Sequence, residues 1–367
     1  MRAARFADFA DRHSPAVFVL PAVLVVLGMS VFPLIVSLYL SLARFKFEKG
    51  GFSLQFIGLA NYEKLLFGSQ QFHLLGTFTA ISTTGSVLIA VTAALFVWLF
   101  ARYLRRGAWS PLGVIGRLVV AAVTLAMALL FAATVAAGGQ PGTLGVTIIY
   151  VFVGVLAQYG IGLGLALLCA QKLPGRRFFR VVFFLPMMIT PVGIAYTFRM
   201  LTDTTKGPIA PIWELFGWAE TSWASSHWGA RIAVMIGDSW QWIPFMFIVL
   251  LAALESQPRD QIEAARVDGA GPWQFFRYIT WPAILPVTVT LVLIRVIEAF
   301  KIVDLPNVLT NGGPGIASES LTLHAFMAWR TLDLGGSAAI AYMLLFLVSF
   351  FCVAFVNLVR QRTRGPA

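Results

Sequence analysis

Residues 263–286 read EAARVDGAGPWQFFRYITWPAILP, and hydrophobic chain flanks them on both sides. This is the longest polar interruption in the C-terminal half that still reads as helix. Glu263, Ala264 and Ala265 favour a helix, and Gly269 followed by Gly271 and Pro272 ends it. A second short helix is expected to start near Trp273, with Phe275, Phe276 and Ile279 on one apolar face. The stretch predicts a helix-turn-helix lying on a membrane surface, a knob that fits a cleft on another protein. An amphipathic loop resting on lipid headgroups is the plainer alternative.

Composition makes lipid the solvent. Of 367 residues, 59% are hydrophobic and 12% charged, with mean hydropathy +0.82. Soluble domains carry roughly 25% charged residues. The net charge of +11 could suggest nucleic acid, but the basic residues punctuate hydrophobic runs instead of forming one patch. Cys169 and Cys352 both sit within apolar segments, which argues against a disulfide framework. His13, His73, His227 and His324 are scattered without metal-ligand spacing, so no metal site is expected. The basic N-terminus precedes an apolar run over 15–43. A signal peptide has a core of only about 7–15 residues, so an uncleaved membrane helix is expected.

A membrane helix needs about 20 mostly apolar residues. Eight segments qualify, near 16–42, 76–101, 117–137, 144–170, 181–200, 231–253, 283–303 and 336–359. The expected fold is an all-α membrane protein of about eight transmembrane helices. With the N-terminus inside, the cytoplasmic side holds Arg2, Arg5, Arg12, Arg102, Arg105, Arg106, Arg117, Lys172, Arg176, Arg177, Arg180, Arg259, Arg266, Arg277, Arg360, Arg362 and Arg364, 17 of the 27 Lys and Arg. Short loops carry this bias, and short loops are where it counts. Both termini and the Glu263 loop are therefore expected in the cytoplasm. The outer segments over 44–75, 202–231 and 304–335 are too short for a sizeable independent domain. The second places Trp213, Trp218, Trp223 and Trp228 every five residues, an interfacial aromatic belt or part of a docking surface.

Charged residues inside a membrane are costly and mark candidate sites. Asp238 lies in the sixth segment, and Arg295, Glu298, Lys301 and Asp304 follow one another at spacings of three in and beyond the seventh. Each can pair with the next on a helix, but the ladder ends half a turn round from its start, so it cannot all line one pore. At about 1.5 Å rise per residue, Arg295 and Glu298 lie roughly 18–22 Å above the inner end of their segment, and Asp238 about 20 Å up through a core about 30 Å thick. The three are expected to share a layer near mid-membrane, either as a structural ion-pair network or as the wall of a polar solute cavity. No GxxxxGK[ST] phosphate loop exists, and the dipeptide Gly-Lys is absent.

The order E-A-A, three residues, G-A, then an aromatic, Ile279, Pro282 and Pro286 resembles the EAA loop of membrane subunits of binding-protein-dependent ABC importers. TNGGPG at 310–315 resembles a second marker of the carbohydrate-uptake branch. The likeness covers roughly 143–359, the first hydrophobic segment and GLANYEKLL at 58–66. It divides the chain into 1–75, an N-terminal helix and first outer loop; 76–142, an extra transmembrane hairpin where the family commonly has six helices; and 143–367, a transmembrane core with its coupling loop at 255–282.

The resemblance implies that ATP and Mg belong to two partner ATPase subunits, with no cofactor in this chain. Glu263, Ala264, Ala265, Asp268 and Gly269 would touch those ATPases. DSWQWIPFM at 238–246 matches the stretch that lines the sugar site in maltose-transporter membrane subunits, through Asp238, Gln241 and Trp242. Arg295, Glu298, Ala299 and Ile302 match it in the seventh segment, and PMMITP at 186–191 contributes Met187 and Thr190 in the fifth. The side chains are more charged here than in the maltose case, which points away from maltose and towards another hydroxyl-rich solute. Asn311, Gly312, Gly313 and Pro314 would meet an extracytoplasmic solute-binding protein, the plainer alternative being a simple turn.

The expected protein is thus a multi-pass inner-membrane subunit of an importer for a sugar, polyol or glycoside, paired with a second, similar membrane subunit. It is a transport subunit and not an enzyme. A proton-coupled carrier using Asp238 and Glu298 is the main rival, and it gives the Glu263 loop no role. An enzyme acting on lipid-linked sugars would need a catalytic cluster near the interface, and the sequence shows none. An importer of anions could use Arg295 as counter-ion, but Glu298 one turn away favours a neutral or mixed solute.

Overall fold

The computed structural model describes residues 18–105, 110–171, 175–220 and 222–363. Arg2, Arg5, Arg12, Arg106, Lys172 and Arg364, which enter the orientation argument, and residues 16–17 of the first segment lie outside the described residues.

Helix α1 spans Phe18–Ser41, and an antiparallel ribbon follows, β1 (Ala43–Glu48) on β2 (Gly51–Phe56), with Phe45 opposite Leu54. Short helices α2 (Ala60–Leu66) and α3 (Gln71–Leu75) lead to α4 (Thr83–Arg105), α5 (Pro111–Ala133) and α6 (Thr143–Cys169). Helices α7 (Arg176–Phe184), α8 (Pro191–Thr202) and α9 (Ala210–Leu215) precede α10 (His227–Glu255). The chain closes with α11 (Arg259–Val267), α12 (Pro272–Phe300), α13 (Leu321–Arg330) and α14 (Leu334–Thr363). Seven helices among the described residues, α1, α4, α5, α6, α10, α12 and α14, are long and apolar enough to cross a membrane. The ribbon is a departure from helix that the sequence pattern did not announce. Its strands alternate apolar and polar residues, ARFKFE and GFSLQF, around the turn at Lys49-Gly50.

The expected fifth span at 181–200 is a bent pair. Helices Arg177–Met188 and Pro191–Thr202 meet at 99°. Pro191 cannot donate a backbone hydrogen bond, and it forces Thr190 into extended backbone (φ −65°, ψ 146°). The Thr190 hydroxyl then accepts from the Gly193 amide at 3.3 Å and caps the second half.

The chain falls into two units. The first joins the chain up to Lys64 with Ala325–Met343, and the second joins Leu65–His324 with the chain from Leu344. In the first, the Asn61 amide donates to the Ser41 and Ala43 carbonyls at 2.8 and 3.0 Å, Lys64 meets Asp333 at 3.3 Å, and the Tyr342 hydroxyl donates to the Leu34 carbonyl. These contacts bring 325–343 to the N-terminal segment, a grouping that composition along the chain does not reveal.

In the second unit, Val146, Tyr150, Ile194, Ala195, Ala233, Val234, Leu305 and Leu309 form one buried cluster, drawn from α6, α8, α10 and the segment after α12. Helices α6 and α10 cross closely because Gly162 has no side chain: a Cβ there would sit 2.5 Å from the Met246 Cβ. The α4–α5 hairpin packs on itself, with Gly85 against Ala132. Its two feet are tied together. The Thr77 amide donates to the Gln140 carbonyl at 2.9 Å, and the Gln140 amide donates back to the Thr77 hydroxyl at 2.8 Å. At Gly76 (φ +98°) a Cβ would lie 2.2 Å from the Gln140 carbonyl oxygen, so only glycine fits this pinch.

Candidate functional site

A polar layer is buried among α6, α10 and α12. Arg295 is fully buried, and its guanidinium donates to Asp238 Oδ2 and, from Nε, to Gln158 Oε1 at 2.7 Å. Gln158 Nε2 donates to the same Asp238 oxygen at 2.8 Å, so amide and guanidinium share one carboxylate. The Trp242 ring covers the guanidinium with Cζ 4.5 Å from the ring centroid. Such a network resolves the cost of burying charge by pairing it. About one helix turn on, Glu298 turns away and meets Lys301 at 2.7 Å.

At one end of α12 stands the knob. Helix α11 ends in a Schellman arrangement: the Gly269 amide donates to the Arg266 carbonyl at 3.1 Å and the Ala270 amide to the Ala265 carbonyl at 3.0 Å. Gly269 takes φ +70°, the left-handed region that a C-terminal glycine supplies without strain. The second helix starts with Pro272 in its first turn, and Gln274 Oε1 accepts from the Gly271 amide at 3.0 Å. It is not a separate short helix, as its sequence suggested. A wider helical turn over Phe276–Thr280 absorbs the missing Pro282 donor, and the helix continues as α12. Glu263, Ala264, Asp268 and Gly269 are exposed while Ala265 is buried. Beside them Val267 is 87% exposed, with Trp273 and Tyr278 above 70%.

At the opposite end of α12 lies the loop that contains TNGGPG. Asn311 (φ 50°) and Gly312 (φ 81°) turn the chain, and the Ser318 hydroxyl donates across the loop to the Gly313 carbonyl at 2.8 Å. The Ser318 and Ala317 amides donate to Gly312 and Pro314, both at 3.0 Å. Buried Arg231 donates from Nε to the Ala317 carbonyl at 2.6 Å and stacks on Trp228, and Tyr150 donates to the Ser318 carbonyl at 3.0 Å. Only Asn311 and Gly315 are left exposed over 310–315.

Residues 160–365 match the family described as binding-protein-dependent transport system inner membrane component. The chain belongs to this family. It is 33% identical over 217 residues to the trehalose/maltose transport system permease protein MalF of Thermococcus litoralis, covering 59% of this chain and 74% of that one. It is 32% identical over 209 residues to the sn-glycerol-3-phosphate transport system permease protein UgpA of Escherichia coli, covering 56% and 70%. Among solved structures, a chain of a bacterial ABC transporter involved in the import of the acidic polysaccharide alginate superposes with TM-score 0.61 over 98% of this chain and 100% of that one, at 17% identity. At that identity the likeness concerns the fold. This protein is accordingly a membrane-spanning, multi-pass permease component of an inner-membrane ABC importer, a transport subunit.

In this permease subunit the residues singled out in the sequence separate into groups. Asp238, Trp242 and Arg295 are brought together, with Gln241 buried one turn from Asp238 and Ala299 buried one turn from Arg295. Glu298 pairs with Lys301 and not with the Asp238–Arg295 group. Arg295 in turn meets Asp238 and not Glu298, so the expected ladder of neighbours reduces to one rung. Ile302 packs on the cluster around Val146 and Tyr150. Met187 and Thr190 sit at the bend between α7 and α8, where Thr190 serves as a cap. Beside that bend runs an apolar groove of about 510 Å³ lined by Val182, Phe183, Pro186, Ile189, Trp240 and Pro244, among others.

Sequence reading missed Gln158. Its one signal was a lone amide in an apolar run, VFVGVLAQYG. It also missed a cluster that breaks the expectation of no metal-ligand grouping. His73 and His324 stack with centroids 3.9 Å apart and planes at 13°, and His73 Nε2 donates to Glu319 Oε2 at 2.9 Å across 246 residues of sequence. Burial first, and then the neighbouring His73, hold His324 far below the usual histidine range, at about 3.

Proposed function

We propose that this subunit passes a neutral, hydroxyl-rich solute, a sugar, polyol or glycoside, delivered by a solute-binding protein. Two separate ATPase subunits carry ATP and Mg, and a second, similar permease subunit completes the passage. Both termini and the Glu263 knob face the cytoplasm, the side favoured by the basic residues. The knob seats in the ATPases through Glu263, Ala264, Asp268 and Gly269, with Ala265 buried beneath them. Closure of the ATPases moves α11 and α12 together, because the knob continues directly into the membrane helix. The Asn311 tip, with Gly312, Gly313 and Pro314 behind it, receives the loaded binding protein.

The observation that carries the coupling role is the uncovered apolar surface of Val267, Trp273 and Tyr278 beside exposed Glu263 on a rigidly capped helix. The solute class draws support from relatives whose names give trehalose/maltose and starch degradation products. Arg295 already has its charge met by Asp238, which favours a neutral solute at this layer over an anion. Gln241, Trp242, Glu298, Ala299 and Ile302, with Met187 and Thr190 from the bend, are the remaining candidates for the path. Carboxylate and amide groups exchange hydrogen bonds with hydroxyls, and an indole offers an apolar face to a sugar ring.

The test is ATP-dependent uptake of labelled sugars and polyols by vesicles carrying the assembled transporter and its binding protein. Glu263→Lys should assemble and lose uptake, and Glu298→Gln should lose uptake at normal membrane abundance. Normal uptake by both variants, or uptake that persists with ATPase-dead partners, overturns the reading.

A further inference from the structure

We propose that His73, Glu319 and His324 form a transition-metal site, suited to Zn²⁺ or a cation of similar preference. One ligand atom from each of the three lies within 4.8 Å of the other two. Two imidazole nitrogens and one carboxylate oxygen, with a fourth position left to water, make a donor set that zinc accepts. The site is distinct from the buried layer of Asp238 and Arg295.

Three features favour a cation over a simple ion pair. The first is Glu319, 6% exposed. Its Oε2 accepts from His73, while its Oε1 is buried and has no hydrogen-bond partner among the described residues. A buried carboxylate oxygen without a partner is costly, and the His73 contact leaves that cost unanswered. The second is His324, whose Nδ1 lies 3.2 Å from the Thr143 hydroxyl. With Nδ1–H donating to that hydroxyl, Nε2 carries the lone pair, as metal-bound histidines are commonly oriented by a second hydrogen bond. The third is access. The His73 side chain is 33% exposed, so an ion can reach the group without unfolding it.

Binding needs one movement. Rings stacked at 13° cannot both direct a nitrogen lone pair at one ion, so the more exposed His73 must swing out of the stack. As the ion arrives, His73 Nε2 gives up its proton and Nδ1 takes one up from solvent, so the imidazole stays neutral and Nε2 presents its lone pair. The bound ion would cross-link α3, ahead of the α4–α5 hairpin, to the segment that follows the TNGGPG turn. That segment is already tight: a Cβ at Gly312 would lie 3.3 Å from the Glu319 Cβ. Metal held at Glu319 therefore steadies the turn.

The experiment uses the full-length chain, purified in detergent through a tag without histidines and stripped with a chelator. Zn²⁺ is titrated in competition with a chromophoric chelator, and Co²⁺ is added separately to read coordination from its visible spectrum. Wild type should take up one equivalent and give the intense bands of a four-coordinate Co²⁺ site. His73→Gln and Glu319→Gln should each weaken Zn²⁺ binding at least about tenfold, the lower end of what loss of a supporting group costs. His227→Gln, outside the cluster, should bind as wild type. His73→Gln alters the exposed member, and an unchanged elution profile and melting temperature will show that it folds. Uptake of less than one equivalent by wild type, or unchanged affinity in both His73→Gln and Glu319→Gln, overturns the site.

Discussion

Arg295 on α12 and Asp238 on α10 form an ion pair with both side chains buried, and Gln158 on α6 bonds to each of them. One contact set thus ties three membrane helices. Pairing makes the charges tolerable there, but it does not make the pair a large source of stability. Replacing such a pair by apolar residues is often neutral, whereas removing one partner leaves a charge that nothing meets and costs about 3–5 kcal/mol. Asp238→Leu and Arg295→Met should therefore each lower the folded yield and melting temperature sharply. The double variant should recover most of both. Melting curves in detergent read this directly; a double variant as unstable as the singles would show that the helices depend on the charges themselves. By the same geometry, neutralising Asp238 alone is not a clean test of transport, because it disturbs assembly through Arg295.

Close helix crossing supplies a second prediction. Gly162→Leu forces a side chain into Met246 on α10, where even a Cβ falls 2.5 Å from its Cβ and 3.1 Å from the Phe247 amide. Overpacking of this kind typically costs about 1–3 kcal/mol. Gly160→Leu, on the same helix with nothing within 4 Å, should melt as wild type. Equal melting temperatures for the two variants would remove Gly162 from the contact.

The pattern of charges and apolar runs placed the spans and the knob, because each depends on residues near one another in sequence. Asp238 and Arg295 were legible as costly intramembrane charges before any partner was known. What stayed hidden depends on closure over long separations. Gln158 gave only a lone amide, and the cluster of His73, Glu319 and His324 is assembled across 246 residues that no spacing rule links. The depth estimate put Glu298 beside Arg295 by height alone. Height is set by rise, but the partner is set by direction round the helix, and there Lys301 wins. The bend at Thr190 was masked by a segment apolar enough to pass for one span, although Pro186 and Pro191 were its signal.

At the knob the prediction concerns backbone conformation. Nothing lies within 4 Å of a Cβ at Gly269, so substitution there tests φ +70° and not packing. A β-branched side chain in the left-handed region costs about 1–2 kcal/mol, whereas asparagine enters it readily. Gly269→Val should unwind the end of α11 and reduce ATP-driven uptake, and Gly269→Asn should keep both. Uptake per assembled transporter separates the outcomes; equal loss in the two variants would mean that the glycine matters for close approach of a partner surface and not for its own turn.

The last prediction concerns the α4–α5 hairpin. Its feet meet: a Cβ at Gly142 would lie 2.5 Å from the Gly76 nitrogen, and Thr77 and Gln140 exchange two hydrogen bonds. The two helices pack on each other through Gly85 and Ala132, and almost none of either apolar stretch is buried. An element that enters and leaves at one point can be removed without stretching the chain on either side. Deleting residues 78–139 and joining Thr77 to Gln140 through a short glycine linker should therefore give a protein that inserts, assembles and melts within a few degrees of wild type. Two crossings are removed together, so α6 and every later helix keep their direction through the membrane. Cysteine labelling at Arg266→Cys reports that direction, and the melting curve reports packing. Reversed labelling or failure to insert would show that the hairpin sets the topology of the helices that follow it. A normal topology with a large loss of melting temperature would show that its apolar faces are needed by the rest of the second unit.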